Sequence, residues 1–305
     1  MSKYIWLEEL KNVIKTGELF VDEPLNKYTK TKLGGSADLL VMPGTMDEME
    51  AAVKYAYKNE IPLLLLGNGS NMVVRDGGVR GIVLHMSKLD TIVINGTHVH
   101  AEAGAHIIDV SRQSAAACLT GFEFACGIPG SVGGAMAMNA GAYGGEIKDI
   151  IVQATVMDRT GKIFVLSKDE LELGYRQSII AKNGLFVLSA DFKLEEGNQS
   201  EIDAKVADLT FQRESKQPLE YPSAGSVFKR PVGYFAGKLI QDSGLQGKGF
   251  GGAEVSEKHA GFIINKNNAT ASDYIQTIEM VKKEVKNRFN VELELEVKIV
   301  GEEPQ

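Results

Sequence analysis

This chain lacks most of the features that would classify it at a glance. Its 305 residues include only two cysteines, Cys118 and Cys126, and these form no Cys-x-x-Cys pair. Two free thiols in a reducing cytosol are the simplest account. No apolar run approaches the roughly 20 residues that span a bilayer. The stretch Met1 to Leu10 carries acids among its apolar residues, so it does not read as a signal peptide. Excess positive charge is missing too. At a net charge of −7, nothing favours nucleic acid or an anionic membrane surface.

Glycine is what the chain has in quantity, and it is concentrated. The run from Ala125 to Gly145 holds seven glycines and five alanines. Ordering glycine costs more entropy than ordering alanine, so such a run implies close backbone approach to a large ligand, with exposed N–H groups that could hold phosphate. Ile128, Val132, Met136, Met138 and Tyr143 interrupt it with groups that want burial, unlike a flexible Gly/Ser linker. A second glycine loop lies upstream. Ile61–Leu66 is a short apolar run, read as a buried strand, and it empties into Gly67-Asn-Gly-Ser-Asn71. No Gly-Lys-Ser/Thr follows, so this is not a P-loop. The sixth position is Met72, and the next segment reads as strand, so it is not a dinucleotide fingerprint of the Rossmann kind. A plain hairpin turn is the competing reading. Two such loops in one chain favour a dinucleotide over a mononucleotide.

The remaining pattern is mixed. A helical spacing runs through Ile5, Leu7, Leu10, Val13 and Ile14. Residues 38–42 read as a strand. Thr45-Met-Asp-Glu48 has the form of a capping box, with Glu48 reaching back, and opens a helix through Tyr57. Between Gly81 and Lys193 the pattern is mostly strand, with one helix predicted over Ile107–Leu119 and closed by Gly121. Thr155–Met157 and Ile163–Leu166 flank Asp158-Arg-Thr-Gly161, a hairpin with glycine in its turn. Glu195 to Ser200 is a polar break and a candidate boundary. A second glycine cluster, Gly244 to Gly252, precedes a helix with apolar positions Ile275, Ile278, Val281, Val285 and Phe289. Strict alternation from Val291 to Ile299 predicts a half-buried strand.

Six blocks occur in order: Leu33-Gly-Gly35, Gly67-Asn-Gly-Ser-Asn71, Gly127-Ile-Pro-Gly-Ser-Val-Gly-Gly-Ala-Met-Ala-Met-Asn-Ala-Gly-Ala142, Tyr175-Arg-Gln-Ser178, Ala224-Gly-Ser-Val-Phe-Lys-Arg-Pro231 and Glu294-Leu-Glu-Val-Lys-Ile-Val-Gly301. Together they resemble the UDP-N-acetylenolpyruvoylglucosamine reductase (MurB) family of peptidoglycan synthesis over residues 30–301. The short interval between Arg176 and Ser226 resembles the family's second type, which lacks an inserted substrate-covering segment. The resemblance implies an α+β fold: a two-subdomain FAD-binding unit of the vanillyl-alcohol-oxidase (PCMH) type plus a separate α+β substrate-binding domain. The corresponding division is 1–85, 86–200 and 201–296, with 297–305 free to return to the first subdomain. FAD is implied to lie between the subdomains, its pyrophosphate on Gly67, Asn68, Gly69, Ser70 and Asn71 and on the backbone of Gly127, Ile128, Pro129, Ser131, Gly133 and Gly134. Leu33, Gly34, Ala135, Asn139 and Gly141 complete the implied cofactor set. His85, His98, His100, His106 and His259 lie outside both glycine loops, so non-covalent FAD is expected. His98 and His100 share a strand face, but without a third ligand they read as a surface pair, with no metal site.

The implied chemistry is a two-step reduction in the cytoplasm. NADPH passes hydride to the flavin, and the reduced flavin passes it to the enolpyruvyl methylene carbon of UDP-GlcNAc-enolpyruvate, giving UDP-N-acetylmuramate. Charge left on the carbon beside the carboxylate resembles an enolate and needs cations and hydrogen-bond donors. By family match Arg176 supplies them, and Glu296 is the matching carboxyl group. Glu296 can polarise the substrate carboxylate only by donating a hydrogen bond, so it is expected to be protonated. Ser226 matches the proton donor, with Lys229 or Arg230 as cations near it. Tyr175, Arg213, Lys216 and Lys229 are candidate substrate ligands, the two central ones for the diphosphate; Asn265 and Gln241 are weaker candidates. Taken alone, Glu292, Glu294 and Glu296 read as a solvated strand face, Ser226 as a turn serine and Arg176 as a surface arginine. Two other classes fit parts of the pattern: another flavin oxidase or dehydrogenase of the same fold, or a non-catalytic nucleotide-binding module. Neither accounts for the Tyr-Arg-Gln-Ser and Gly-Ser-Val-Phe-Lys-Arg-Pro blocks.

Overall fold

The structure, a computed structural model, describes residues 2–304. The chain forms two compact units, each assembled from three stretches. The first takes the residues up to Val21, then Asp38–Asn68 and Gly81–Arg213; the second takes Asp22–Ala37, Gly69–Arg80 and the residues from Glu214 on.

The first unit is organised around two sheets. One has four strands in the order Glu18–Pro24, Ser36–Met42, Val79–His85, Leu63–Leu66, and Leu63–Leu66 runs parallel to Ile82–His85. The other has five antiparallel strands in the order Ile163–Ser167, Ile151–Met157, Phe186–Lys193, His98–Glu102, Ile92–Asn95. The expected hairpin is present there. Its turn is held by the Asp158 carboxylate, which accepts from the N–H groups of Thr160 and Lys162, and Gly161 takes φ +91°. The helices Met46–Lys58 and Ile107–Ala116 bury apolar faces in a continuous core with Leu39, Val41, Ile82, Leu84, Val99 and Val156.

Several expectations need correction. The helix at 107 stops at Ala116, three residues early, and the chain leaves it through Cys118 at φ +58°; Gly121 belongs to a later turn. Three further short helices, Val132–Ala137, Ile147–Ile150 and Ile179–Asn183, interrupt the region read as strand. Each is too short to carry a readable apolar stripe. The polar stretch after Glu195 leads into an 18-residue helix, Gln199–Lys216, which buries only Ile202 and Leu209. Such a sparse face leaves little periodic signal.

Glu48 departs from its expected role. Thr45 does cap the helix by accepting from the Glu48 N–H at 3.2 Å. The Glu48 carboxylate does not return to Thr45; it accepts from the N–H groups of Lys15 and Thr16 at 2.6 Å each, from the Thr16 hydroxyl and from the Gly44 N–H. Burial works to raise its pKa, but these donors outweigh it and hold the carboxyl at about 2. A folded-state pKa below the unfolded one stabilises above the unfolded value and is lost as pH falls through the folded one. Glu48→Gln is therefore expected to cost roughly 2–3 kcal/mol at pH 7. The gap between the two unfolding curves should narrow as melts are taken down to pH 3. A gap independent of pH would assign Glu48 no charged role.

The second unit carries a four-stranded antiparallel sheet in the order Ser223–Ser226, Phe262–Asn265, Ala253–Val255, Gly249–Phe250. The helix Ala271–Phe289 buries Tyr274, Ile278, Val281 and Val285 in a separate core with Val227, Val255 and Ile263. Asp76 ties a distant stretch to this helix, accepting from the N–H groups of Ala271 and Ser272 at 2.8 Å each. The strand expected over Val291–Ile299 shrinks to Lys298–Val300, which pairs in parallel with Met72–Val74. Leu293 and Val297 are buried, so the alternation is real. It reflects an extended segment packed on a core, with one isolated bridge, Phe228 to Leu295.

Candidate active site

Gly67 and Asn68, the part of the upstream loop that belongs to the first unit, meet the glycine-rich run 125–145 there. A Cβ at Gly67 would stand 2.7 Å from Ser131 Oγ. Asn68 donates from its side-chain amide to the Pro129 carbonyl at 2.7 Å and lies 3.0 Å from His106 Nδ1. The amide nitrogen can only donate, so in this contact Nδ1 is the acceptor. His106 thus reaches the loops in space although it lies outside them in sequence. No local motif announces a contact across 38 residues.

The main chain of these loops is rich in uncommitted donors. The N–H groups of Asn68, Gly69 and Ser70, and of Gly130 and Ser131, find no acceptor among the described residues. Gly69, Gly130 and Ser131 are buried, and a buried orphan N–H is costly without a partner. Gly69 takes φ +57°, the left-handed turn that fans successive N–H groups toward one point. Within the first unit, the N–H groups of Asn68, Gly130 and Ser131 fit a phosphate. Other expected positions are engaged within the protein. Ile128 N–H bonds to Ala125 and Gly133 N–H to Ala103, and Ser131 Oγ accepts from the Gly134 N–H. Ala135 is buried, and Gly141 faces Glu146 in a short antiparallel pair. In the second unit, Leu33 is buried, Gly34 takes φ +128° against Val74, and Gly69 O accepts from the Lys30 N–H.

Arg176 occupies a tight turn in the first unit. Gly174 and Gln177 exchange both backbone hydrogen bonds at 3.1 Å, and Arg176 sits between them at φ +56°. That conformation is unfavourable for any residue with a Cβ, and such outliers cluster at functional sites. Its guanidinium lies 5.3 Å from the centre of the Tyr175 ring, which is exposed.

Ser226 and Glu296 come together in the second unit. Ser226 ends a strand and pairs with Phe262 just after Gly225, which takes φ +74°. The next residue, Val227, accepts from the Glu296 N–H at 2.8 Å. Asn71 donates its side-chain amide to the Glu296 carbonyl at 3.0 Å, so the end of the glycine loop is fastened to the same place. Lys229 bonds through its N–H to the Glu294 carbonyl and through Nζ to the Glu294 carboxylate at 3.3 Å. Arg230 stacks 3.9 Å from the Phe235 ring centre.

The other candidates are placed as follows. Arg213, in the first unit, packs across Gly127, whose Cβ would fall 2.5 Å from Arg213 Cδ. Burial lowers its pKa, opposed by Tyr143 and Cys126 beside it. Lys216 is exposed at the end of its helix. Asn265 is engaged structurally, donating to the Thr31 carbonyl and accepting from the Ala269 N–H. Gln241 is exposed. His100 pairs with Asp191 at 2.6 Å.

Two family models and several known proteins match this chain. A family model described as an FAD binding domain matches residues 37–167. One described as the UDP-N-acetylenolpyruvoylglucosamine reductase C-terminal domain matches residues 217–300. The UDP-N-acetylenolpyruvoylglucosamine reductase of Geobacillus thermodenitrificans is 61% identical over 282 residues, which is 92% of this chain and 93% of that protein. The Staphylococcus aureus protein of the same name is 56% identical over 298 residues, 98% of this chain and 97% of that one. Among solved structures, the UDP-N-acetylenolpyruvylglucosamine reductase of Thermus caldophilus aligns with a TM-score of 0.80 at 33% identity, covering 93% of this chain and 99% of that chain.

Proposed function

Because this chain belongs to the UDP-N-acetylenolpyruvoylglucosamine reductase family, we propose how its own residues carry out that reduction. The protein is an FAD-dependent reductase of peptidoglycan precursor synthesis that uses NADPH. Bound FAD supplies a hydride carrier between NADPH and the enolpyruvyl methylene carbon of the sugar nucleotide. The orphan N–H groups of Asn68, Gly130 and Ser131 would hold its diphosphate.

Arg176 engages the substrate carboxylate and stabilises the enolate-like charge left by hydride addition, using its planar fork of donors. Glu296, protonated, donates a hydrogen bond to the same carboxylate. Ser226 delivers a proton to the carbon beside the carboxylate. The backbone bond from the Glu296 N–H to the Val227 carbonyl supports this reading, because it sets the chain at Glu296 beside the residue that follows Ser226. Lys229 and Arg230 lie three and four residues beyond Ser226 and are assigned to lowering the cost of its developing negative charge. Lys216 and Arg213 are assigned to the substrate diphosphate with Tyr175. The short interval from Arg176 to Ser226 supports the family's second type. We place the enzyme in the cytoplasm, with no nucleic-acid or membrane partner. Among the described residues no helix is long and apolar enough to cross a membrane.

The test is the visible spectrum of the purified protein. Flavin bands should bleach with NADPH and return anaerobically on adding UDP-GlcNAc-enolpyruvate. Bands that return only with oxygen would remove the enolpyruvyl substrate from the reading. Acid or heat denaturation followed by pelleting should leave the yellow colour in solution. Colour retained in the pellet would point to a covalent link, with His106 as the residue to replace first.

A further inference from the structure

We propose that Asn139 is the positioning residue for Arg176, holding the turn that presents the guanidinium. The inference rests on the catalytic reading of Arg176 given above. Asn139 lies in the glycine-rich run, is fully buried and takes φ +43°. Asparagine tolerates that conformation better than most residues. Its side chain is engaged on every side. Oδ1 accepts from the Lys148 N–H at 2.9 Å. Nδ2 donates to the Glu146 carboxylate at 2.5 Å and to the Gly174 carbonyl at 3.0 Å. Both amide hydrogens are thus used within the protein, so what this side chain contributes is position.

Gly174 is the residue that opens the Arg176 turn. Its N–H and carbonyl close the turn against Gln177, and the same carbonyl accepts from Asn139. On the far side of Arg176, Ser178 Oγ donates to the Ala137 carbonyl at 2.6 Å. The turn is therefore tied at both ends to residues 137–139. A tight turn holding an arginine at φ +56° persists only where its surroundings over-determine it. Glu146, itself paired with Lys148 at 2.6 Å, fixes the Asn139 amide so that its second hydrogen points at Gly174. Without that bond the carbonyl loses a buried partner, the turn relaxes, and the guanidinium leaves its productive position.

The experiment is a double-mutant cycle in the flavin-loaded enzyme. Asn139→Gly keeps the backbone conformation and removes the side-chain bonds. Asn139→Asp combined with Glu146→Gln keeps the bond from the Lys148 N–H and, with donor and acceptor exchanged, the bond to residue 146, and loses the one to Gly174; Glu146→Gln alone controls for the lost Glu146–Lys148 ion pair. Either variant should slow reoxidation of the flavin by the enolpyruvyl substrate roughly tenfold or more, the scale on which a small misplacement acts. Any slowing of bleaching by NADPH should be several-fold smaller than the slowing of reoxidation, since Arg176 has no part in that step. In an Arg176→Lys background the same changes should add less than about twofold, because the fork they position is already gone. Hydrogen exchange at the Gly174 and Gln177 amides should rise in both variants. Fully additive losses, equal slowing of both half-reactions, or unchanged exchange would each overturn the proposal. If Arg176→Lys alone leaves reoxidation unchanged, the catalytic reading falls first and takes this one with it.

Discussion

Ser226→Ala is expected to leave bleaching of the flavin by NADPH nearly unchanged and to slow its reoxidation by the enolpyruvyl substrate roughly 10²–10⁴-fold, the usual contribution of a positioned general acid. A donor of a proton to the substrate takes no part in the first half-reaction. Anaerobic stopped-flow measures the two halves separately. Ser226→Cys should recover part of the rate, since a thiol can also give a proton. Its backbone setting tolerates both changes: Gly225, not Ser226, carries the left-handed φ. Slowing of both halves together would make Ser226 a residue that shapes a shared pocket. Slowing of neither would assign the proton to another donor.

Arg176→Lys tests the other half of the charge arrangement. It keeps one positive charge and loses the planar fork. Lysine meets the same backbone penalty as arginine at φ +56°, so the comparison isolates the head group. Turnover should fall roughly 10²-fold or more, the scale of removing one donor to a developing oxyanion. The loss should sit in kcat more than in KM, because the enolate-like charge exists only after hydride arrives. Turnover within a few-fold of the parent would leave Arg176 a structural role.

Much of this was legible in the chain, for reasons that differ by element. The hairpin around Asp158–Gly161 could be read because alternation and a glycine turn are local signals, and its register follows them. The glycine loops could be read because few other settings tolerate so many residues without side chains. The stretch Val291–Ile299 was misread because a period of two reports burial, and burial alone does not supply a neighbouring strand; only Lys298–Val300 finds one. Glu48 matched a capping box in type and spacing, yet its carboxylate serves donors 32 and 33 residues upstream. The catalytic blocks were recognisable as blocks. What joins them was not. The Asn139 bond to Gly174 spans 35 residues and ends on a carbonyl, and a carbonyl has no letter in a sequence.

The division of each unit among three stretches of chain bears on how the protein can be made. A ribosome that has released everything through Arg213 has delivered the whole of the first unit. At that moment the second unit consists of two short pieces, since every member of its buried core cluster except Leu33 and Val73 lies beyond. Met72–Val74 waits for Lys298–Val300, and Asn71 waits for Glu296, 225 residues later. Contacts this distant in sequence close slowly and leave apolar surface open in the meantime. The nascent chain should therefore acquire protease resistance in two instalments. The second instalment, and with it the bond from the Glu296 N–H to the Val227 carbonyl, arrives only once Lys298–Val300 has left the exit tunnel.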